Sequence, residues 1–93
     1  MGREQAGARP AVVLTEATFN AKTDLAVVCP ITSKIKGYPF EVVIPAGLAV
    51  SGAILVDQLK TIDWKSRAAR YRGKCPKNAL AEVAGKLRAL LSL

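Results

Sequence analysis

Histidine is absent from this chain of 93 residues, and acidic side chains are few, with 7 Asp and Glu against 14 Lys and Arg. The acids are scattered singly apart from Asp57 and Asp63. A Mg²⁺ site needs several oxygen ligands in one place, so we predict no metal site and no cofactor. A histidine general base is excluded at every position.

Cysteines and long apolar runs are also scarce. Cys29 and Cys75 are too far apart for a metal motif without histidine, and Cys29, within an apolar run, is expected to be a buried thiol. We find no secretory signal and expect a cytoplasmic chain with reduced cysteines. Pro and Gly interrupt the apolar runs, so no membrane span is predicted.

The net charge of +7 is the strongest compositional signal. A basic small protein favours a polyanionic partner, nucleic acid first, although a charge of this size also serves solubility alone. The length predicts a single domain over residues 1–93.

The apolar pattern predicts a mostly β chain with a C-terminal α-helix, arranged as a small SH3-like β-barrel. Short strands are predicted at residues 10–14, 25–31, 40–44, 53–56 and 59–64. Residues 15–24 suit a loop or one helical turn. Pro30 should end the second strand, because a central ladder would miss its N–H.

A helix is predicted from Pro76, which suits the first helical position. Leucine and valine recur beyond it at helical spacing, which predicts one face packed on the sheet. The residues of this face are Leu80, Val83, Leu87, Leu90 and Leu91.

The polar loop before the first strand carries Glu4 and Arg9, followed by Pro10. Pro10 keeps Arg9 out of the helical region, so Arg9 should lie extended at the mouth of the strand. A carboxylate and an arginine held there suit proton transfer or phosphate binding. The alternative is a weak surface ion pair.

For RNA, this residue set permits cleavage without a metal, because the 2′-OH is a built-in nucleophile. Glu4 can take its proton, Arg9 can hold the phosphate, and Thr32 and Ser33 can donate hydrogen bonds. The products would be a 2′,3′-cyclic phosphate and a 5′-OH.

Basic side chains outside this loop are candidates for RNA contacts. Lys34 and Lys36 follow the Thr-Ser pair, and Arg67 and Arg70 lie in the basic run at residues 65–77. The alternative is a solvated basic surface.

Four motifs in order resemble the MazF/PemK/Kid toxin family. They are Glu-Gln-Ala-Gly-Ala-Arg-Pro at 4–10, Pro-Ile-Thr-Ser at 30–33, Lys-Gly-Tyr-Pro-Phe-Glu-Val at 36–42 and Asp-Gln-Leu-Lys-Thr-Ile at 57–62. The resemblance implies a barrel of the MazF/Kid/CcdB type, usually a homodimer. It also implies a sequence-specific mRNA endoribonuclease of a type II toxin–antitoxin system, inhibited by an acidic MazE-like antitoxin.

The resemblance places Glu4, Arg9 and Thr32 on the catalytic positions of the MazF branch, with Ser33 beside them. Asp57 falls on the proposed base of the Kid branch, but Leu55 replaces that branch's arginine. We therefore favour Glu4 and Arg9 as the chemical pair.

Asp57 and Gln58 remain possible catalytic or RNA-binding residues, which could orient loops or read bases. Family members carry a further strand before the Glu-Gln loop, so without it a sheet edge would be open. A second function class stays open, namely a non-catalytic nucleic-acid binder or a CcdB-like gyrase-inhibiting toxin on the same fold.

Overall fold

The computed structural model describes residues 9–93, in which five short strands and two α-helices form the regular structure. In chain order these are β1 (Ala11–Val13), α1 (Ala17–Thr23), β2 (Leu25–Thr32), β3 (Glu41–Val43), β4 (Ala53–Leu55), β5 (Lys60–Asp63) and α2 (Lys77–Leu91), with a 3₁₀ turn at Val56–Gln58. All strand pairs are antiparallel. The prediction of a mostly β chain with a C-terminal helix is confirmed.

Strand β2 is the centre of the sheet. Its residue Val28 pairs with Val13 of β1 and with Lys60 of β5, so these two strands flank opposite edges of β2. Further along, Ile31 pairs with Ile54 of β4, which in turn pairs with β3. The C-terminal end of β2 therefore lies among β1, β4 and the loops that join β2, β3 and β4.

Pro30 lies inside β2, and the prediction that it ends the strand is wrong. It stands opposite Ala11 of β1, while Ile31 supplies the neighbouring hydrogen bond by donating to the carbonyl of Pro10 at 3.0 Å. On the other edge Pro30 falls between the last pair with β5, at Val28, and the first pair with β4, at Ile31. Pro30 therefore lacks its N–H at the position where the pairing partner of β2 changes from β5 to β4.

Helix α1 replaces the loop or single turn predicted at residues 15–24. The Thr15 hydroxyl donates to the Asn20 side-chain oxygen at 2.6 Å, and the Asn20 amide donates to the Thr15 carbonyl at 3.3 Å. At the other end Asp24 takes a left-handed conformation with φ of 60°, and its N–H bonds to the Asn20 carbonyl. These local bonds stabilise a segment whose apolar pattern is weak.

The apolar core lies between the sheet and α2. Its buried members are Val12, Cys29, Ile31, Val42, Ile44, Ile54, Val56, Ala79 and Val83. Cys29 is fully buried, as predicted, and burial raises the pKa of its thiol, with the charge of Asp57 adding to the effect. This thiol is therefore a weak nucleophile at neutral pH. Both cysteines are free.

Helix α2 begins at Lys77 with Pro76 as its N-cap, one residue later than predicted. Val83 is buried, and Leu80 and Leu87 pack against the core, as the helical spacing indicated. Leu90 and Leu91 are exposed instead, because the packed face ends at Leu87 and the last turn extends beyond it. In the described residues, no helix combines the length and apolar character that crossing a membrane requires.

Candidate active site

Two of the predicted catalytic residues, Arg9 and Thr32, lie where β1 begins and β2 ends. The register pairs Ala11 with Pro30, and the Pro10 carbonyl accepts a hydrogen bond from Ile31, so Pro10 lies opposite Ile31. The observed pairs end there, and the same register continued by one residue would bring Arg9 opposite Thr32. Arg9 is exposed, and Thr32 is half-buried. The exposed arginine and the half-buried threonine therefore belong to neighbouring segments at this end of the sheet, although they are far apart in sequence.

Thr32 is held from three sides. Its Oγ1 accepts a hydrogen bond from the Lys34 amide at 3.1 Å, and its backbone pairs with Ala53 of β4. A Cβ added to Gly52 would lie only 2.1 Å from the Thr32 carbonyl oxygen. The hydroxyl oxygen therefore caps the following turn. Its hydrogen is still available to donate to a ligand.

A surface pocket of about 200 Å³ opens beside Thr32. It is lined by Thr32, Lys34, Lys36, Tyr38, Glu41, Leu55 and Gln58. Four of these residues were predicted from the sequence, namely Thr32, Lys34, Lys36 and Gln58. Two ammonium groups, a hydroxyl, an amide and an apolar wall suit a ligand with both phosphate and base. We call this site the β2-end pocket.

Glu41 is a wall of the pocket that the sequence analysis did not single out. It is only 7% exposed although it carries a carboxylate. The carboxylate accepts hydrogen bonds from the backbone amides of Lys36 and Gly37. A lone acid in the apolar stretch Phe-Glu-Val-Val-Ile at 40–44 is the signal that could have indicated it, because buried charges need donors.

Asp57 is engaged by a second loop. The Tyr38 hydroxyl donates to Asp57 Oδ1 at 2.7 Å, across the mouth of the pocket. This hydrogen bond is the main cause that raises the pKa of Tyr38 to about 12. Asp57 thus holds Tyr38 in place and lies outside the pocket lining. The arrangement agrees with a loop-orienting role for Asp57.

The remaining predicted residues lie away from the pocket or outside the described range. Ser33 is exposed and is not part of the lining, and Glu4 lies outside residues 9–93. Arg67 follows β5, whose last residue Asp63 pairs with Leu25 at the other end of β2. Seven strand steps separate that end from Thr32, roughly 23 Å. Arg67 and Arg70 are exposed and stay predictions for a separate RNA contact.

Similarity to known proteins agrees with the motif order. A family described as PemK-like, MazF-like toxin of type II toxin–antitoxin system matches residues 1–91. The chain is 42% identical over 90 residues to "Endoribonuclease toxin MazF" of Escherichia coli (strain K12), covering 97% of this chain and 80% of that protein. It is 36% identical over 96 residues to "Endoribonuclease PemK" of Escherichia coli, covering 98% and 71%.

Solved structures give the same result for the fold. A crystal structure of the MazE–MazF complex from Deinococcus radiodurans matches with a TM-score of 0.91 and 50% identity, covering 94% of this chain and 85% of that one. The predicted small barrel of the MazF type is therefore confirmed at the level of the fold.

Proposed function

This chain belongs to the PemK-like, MazF-like family of toxins of type II toxin–antitoxin systems, and we propose that it is an endoribonuclease that cleaves single-stranded RNA. The observation that supports the proposal is the β1–β2 register, which brings the start of β1, next to Arg9, to the end of β2 where Thr32 lines the β2-end pocket. Lys34 and Lys36 line the same pocket and supply further positive charge. The site thus combines phosphate binding with hydrogen-bond donors.

Arg9 is proposed to hold the scissile phosphate. A guanidinium offers two parallel N–H donors to a phosphate, which a lysine cannot reproduce. Thr32 Oγ1, fixed by the Lys34 amide, adds one donor to the same group. Together they stabilise the extra negative charge that the phosphorus carries when the 2′-oxygen attacks.

Glu4 is proposed as the general base because it begins the Glu-Gln-Ala-Gly-Ala-Arg-Pro motif that resembles the family's opening motif. It removes the 2′-OH proton as the 2′-oxygen bonds to phosphorus, and the bond from phosphorus to the 5′-oxygen breaks. The departing 5′-oxygen takes a proton, for which Arg9 is the proposed donor. The products are a 2′,3′-cyclic phosphate and a 5′-OH, and DNA without the 2′-OH is not cleaved. No step involves a metal or other cofactor.

The substrate is proposed to be unpaired RNA, because bases must leave a duplex to be read individually. The β2-end pocket has room for part of a nucleotide, and Leu55 gives it an apolar wall. Gln58 is placed to contact a base edge. The net charge of +7 predicts that binding weakens as salt rises.

The test uses a long single-stranded RNA of known sequence in excess EDTA, followed by mass analysis of the fragment ends. We expect cleavage with cyclic phosphate and 5′-OH ends, and no cleavage of duplex RNA or DNA of the same sequence. Loss of activity in EDTA with recovery in Mg²⁺ would contradict the proposed chemistry. Binding of RNA without cleavage would instead favour a non-catalytic binding protein.

An acidic antitoxin is the second proposed partner. The matching crystal structure is a MazE–MazF complex, and an acidic peptide would compete with RNA for the lysines of the pocket. We expect a cognate acidic antitoxin to inhibit cleavage, and RNA to slow its binding. Simultaneous binding of both without competition would contradict a shared surface.

We also propose that the chain forms a homodimer. A groove of about 330 Å³ lies between β1 and α2, and its lining is largely apolar. Its lining residues are Val13, Leu14, Leu80, Val83, Ala84 and Leu87. Val13, Leu90 and Leu91 are exposed apolar side chains, which favours association. Sedimentation at micromolar concentration should give a dimer, and a monomer there would contradict the proposal.

A further inference from the structure

We propose that Glu41 is a positioning residue for RNA cleavage, which holds Lys34 and Lys36 beside Thr32 by fixing the backbone of the loop that carries them. We call residues 33–40 the lysine loop. This inference rests on the proposed endoribonuclease function. It adds a role for a buried carboxylate that touches neither the phosphate nor the attacking hydroxyl.

The geometry around Glu41 shows how the loop is held. The Lys36 amide lies 3.1 Å from both Oε1 and Oε2, and the Gly37 amide donates to Oε1 at 2.7 Å. A carboxylate that has left water needs such donors, and bonds to an ionised group are short and strong. Among residues 9–93, Glu41 is the one charged residue classed as buried.

Two successive backbone amides that converge on one anion form a small concavity, a nest. Here the anion belongs to the protein and is itself anchored, because Glu41 is the first residue of β3 and pairs with Leu55 of β4. The next residue, Val42, is fully buried. The carboxylate therefore connects the lysine loop to the rigid sheet.

The other contacts of the lysine loop hold a different part of it. The Tyr38 hydroxyl bonds to Asp57, the Tyr38 carbonyl accepts from the Glu41 amide at 3.1 Å, and Lys86 of α2 donates to the Pro39 carbonyl. These bonds hold residues 38–39. The Lys34 amide bonds to Thr32 Oγ1, whereas Lys36 and Gly37 are held by the Glu41 carboxylate. Loss of that carboxylate should therefore release Lys36 and Gly37 and leave the two ends of the loop attached.

Charge and position predict opposite effects for the substitution Glu41→Gln. If only the overall electrostatic potential of the pocket matters, removing a negative charge near it should strengthen RNA binding, because phosphates are attracted to positive charge. The same substitution should weaken binding if the carboxylate positions the lysines. A glutamine keeps the shape of the side chain and one accepting oxygen, but that oxygen is neutral and so accepts weaker hydrogen bonds. Its NH₂ group cannot accept and would replace the oxygen that lies 3.1 Å from the Lys36 amide.

The experiment compares three proteins: wild type, Glu41→Gln and the control Glu16→Gln. Glu16 is exposed at the start of α1, so its substitution makes the same change in charge away from the lysine loop. Hydrogen exchange by NMR reports the amides of Lys36 and Gly37. Steady-state cleavage of one RNA reports kcat and KM separately, and core amides report that each variant is folded.

We expect wild type and Glu16→Gln to protect both loop amides. In Glu41→Gln this protection should fall while core amides stay protected. KM should rise about tenfold or more, as expected when one charged hydrogen bond to a phosphate is lost, and kcat should change less. If Glu41→Gln does not fold, Glu41→Asp keeps the charge but withdraws the carboxylate and should show the same rise in KM.

Three results would overturn the inference. The first is rapid exchange of the Lys36 and Gly37 amides in folded wild type. The second is a Glu41→Gln protein that loses loop protection yet cleaves RNA with wild-type KM. The third is a lower KM in Glu41→Gln, which would show that charge alone matters. A wild-type protein that does not cleave RNA would instead show that the proposed function has failed.

Discussion

Replacing Gly52 with alanine should damage the β2-end pocket through one close backbone contact. Gly52 has a φ of +122°, and a Cβ built on it lies 2.1 Å from the Thr32 carbonyl oxygen and 3.0 Å from the Thr32 carbonyl carbon. The Gly52 carbonyl also accepts a hydrogen bond from the Ile44 amide at 2.9 Å. Neither partner is a flexible side-chain end, so the backbone itself has to move.

Two costs add in this variant. A non-glycine residue in a rarely populated backbone region costs roughly 1–3 kcal/mol. Forcing extra atoms into a packed site costs roughly a further 1–3 kcal/mol. We therefore expect Gly52→Ala to lower the free energy of unfolding by about 2–6 kcal/mol, out of roughly 5–14 kcal/mol for a chain of this length.

Two other glycines provide matched controls. Gly47 has a φ of +89° with nothing within 4 Å of a built Cβ, so Gly47→Ala should show the backbone cost alone, about 1–2 kcal/mol. Gly85 lies inside α2 with nothing within 4 Å, and Gly85→Ala should stabilise by about 0.5–1 kcal/mol.

Urea unfolding measures all three variants. With a slope of roughly 1–3 kcal/mol per molar urea, the midpoint of Gly52→Ala should fall by at least about 0.7 M. Its kcat should also fall under conditions where it is folded, because the displaced backbone belongs to Thr32, whereas Gly47→Ala should keep its kcat. A Gly52→Ala protein as stable and active as Gly47→Ala would refute the reasoning.

Three further predictions concern the chemistry and the loop. Arg9→Lys and Glu4→Gln should each lower the rate of RNA cleavage by roughly 100-fold or more, as expected on removal of a general acid or base, while RNA binding falls little. If Glu4→Gln were active and Asp57→Asn inactive, the general base would instead be Asp57. Thr32→Ala should cost less, at most the roughly 1.5–3 kcal/mol of one hydrogen bond to a charged group, and wild-type rates for this variant would remove Thr32 from the site. The bond to Asp57 raises the pKa of Tyr38 from 10.0 to about 12, so it stabilises the fold fully below pH 10 and is lost as pH rises through about 12. A pH series of urea unfolding should therefore show wild type losing its advantage over Tyr38→Phe in that range, and a constant difference would contradict the assignment.

The apolar pattern predicted the strands well because they are short and rich in branched residues, and all but the exposed β5 have buried residues. Residues 25–31 were predicted as a central strand, and β2 covers Leu25–Thr32. The error at Pro30 arose because a ladder partner was assumed on both edges along the whole strand. The change of partner from β5 to β4 depends on contacts between distant segments, which no local pattern shows.

Helix spacing likewise predicted which face of α2 packs but not where packing ends. Val83 and Leu87 follow the pattern, whereas Leu91 continues it and is exposed. Where the packing ends depends on which segments of the sheet lie under the helix, and the helical spacing does not show that.

The motif order predicted the family and the class of its enzymes, and it singled out Arg9 and Thr32 as candidate catalytic residues. Their proximity follows from the β1–β2 register, which the sequence does not state. Glu41 was overlooked because its neighbours are apolar and its role depends on amides in the preceding loop. Arg67 was grouped with the other basic residues because the charge of a residue does not show where it lies in the fold. In the structure β5 runs away from Thr32, and Arg67 follows β5.

The central claim is that RNA binds where Arg9 meets Thr32, at the C-terminal end of β2. Its most direct test is NMR mapping with a single-stranded 2′-O-methyl RNA, which lacks the attacking hydroxyl and so stays intact. The account predicts that the largest amide shifts fall on Arg9, Thr32, Lys34, Lys36 and Gln58. Shifts confined to residues 65–74 after β5, with the β2-end pocket unchanged, would contradict it.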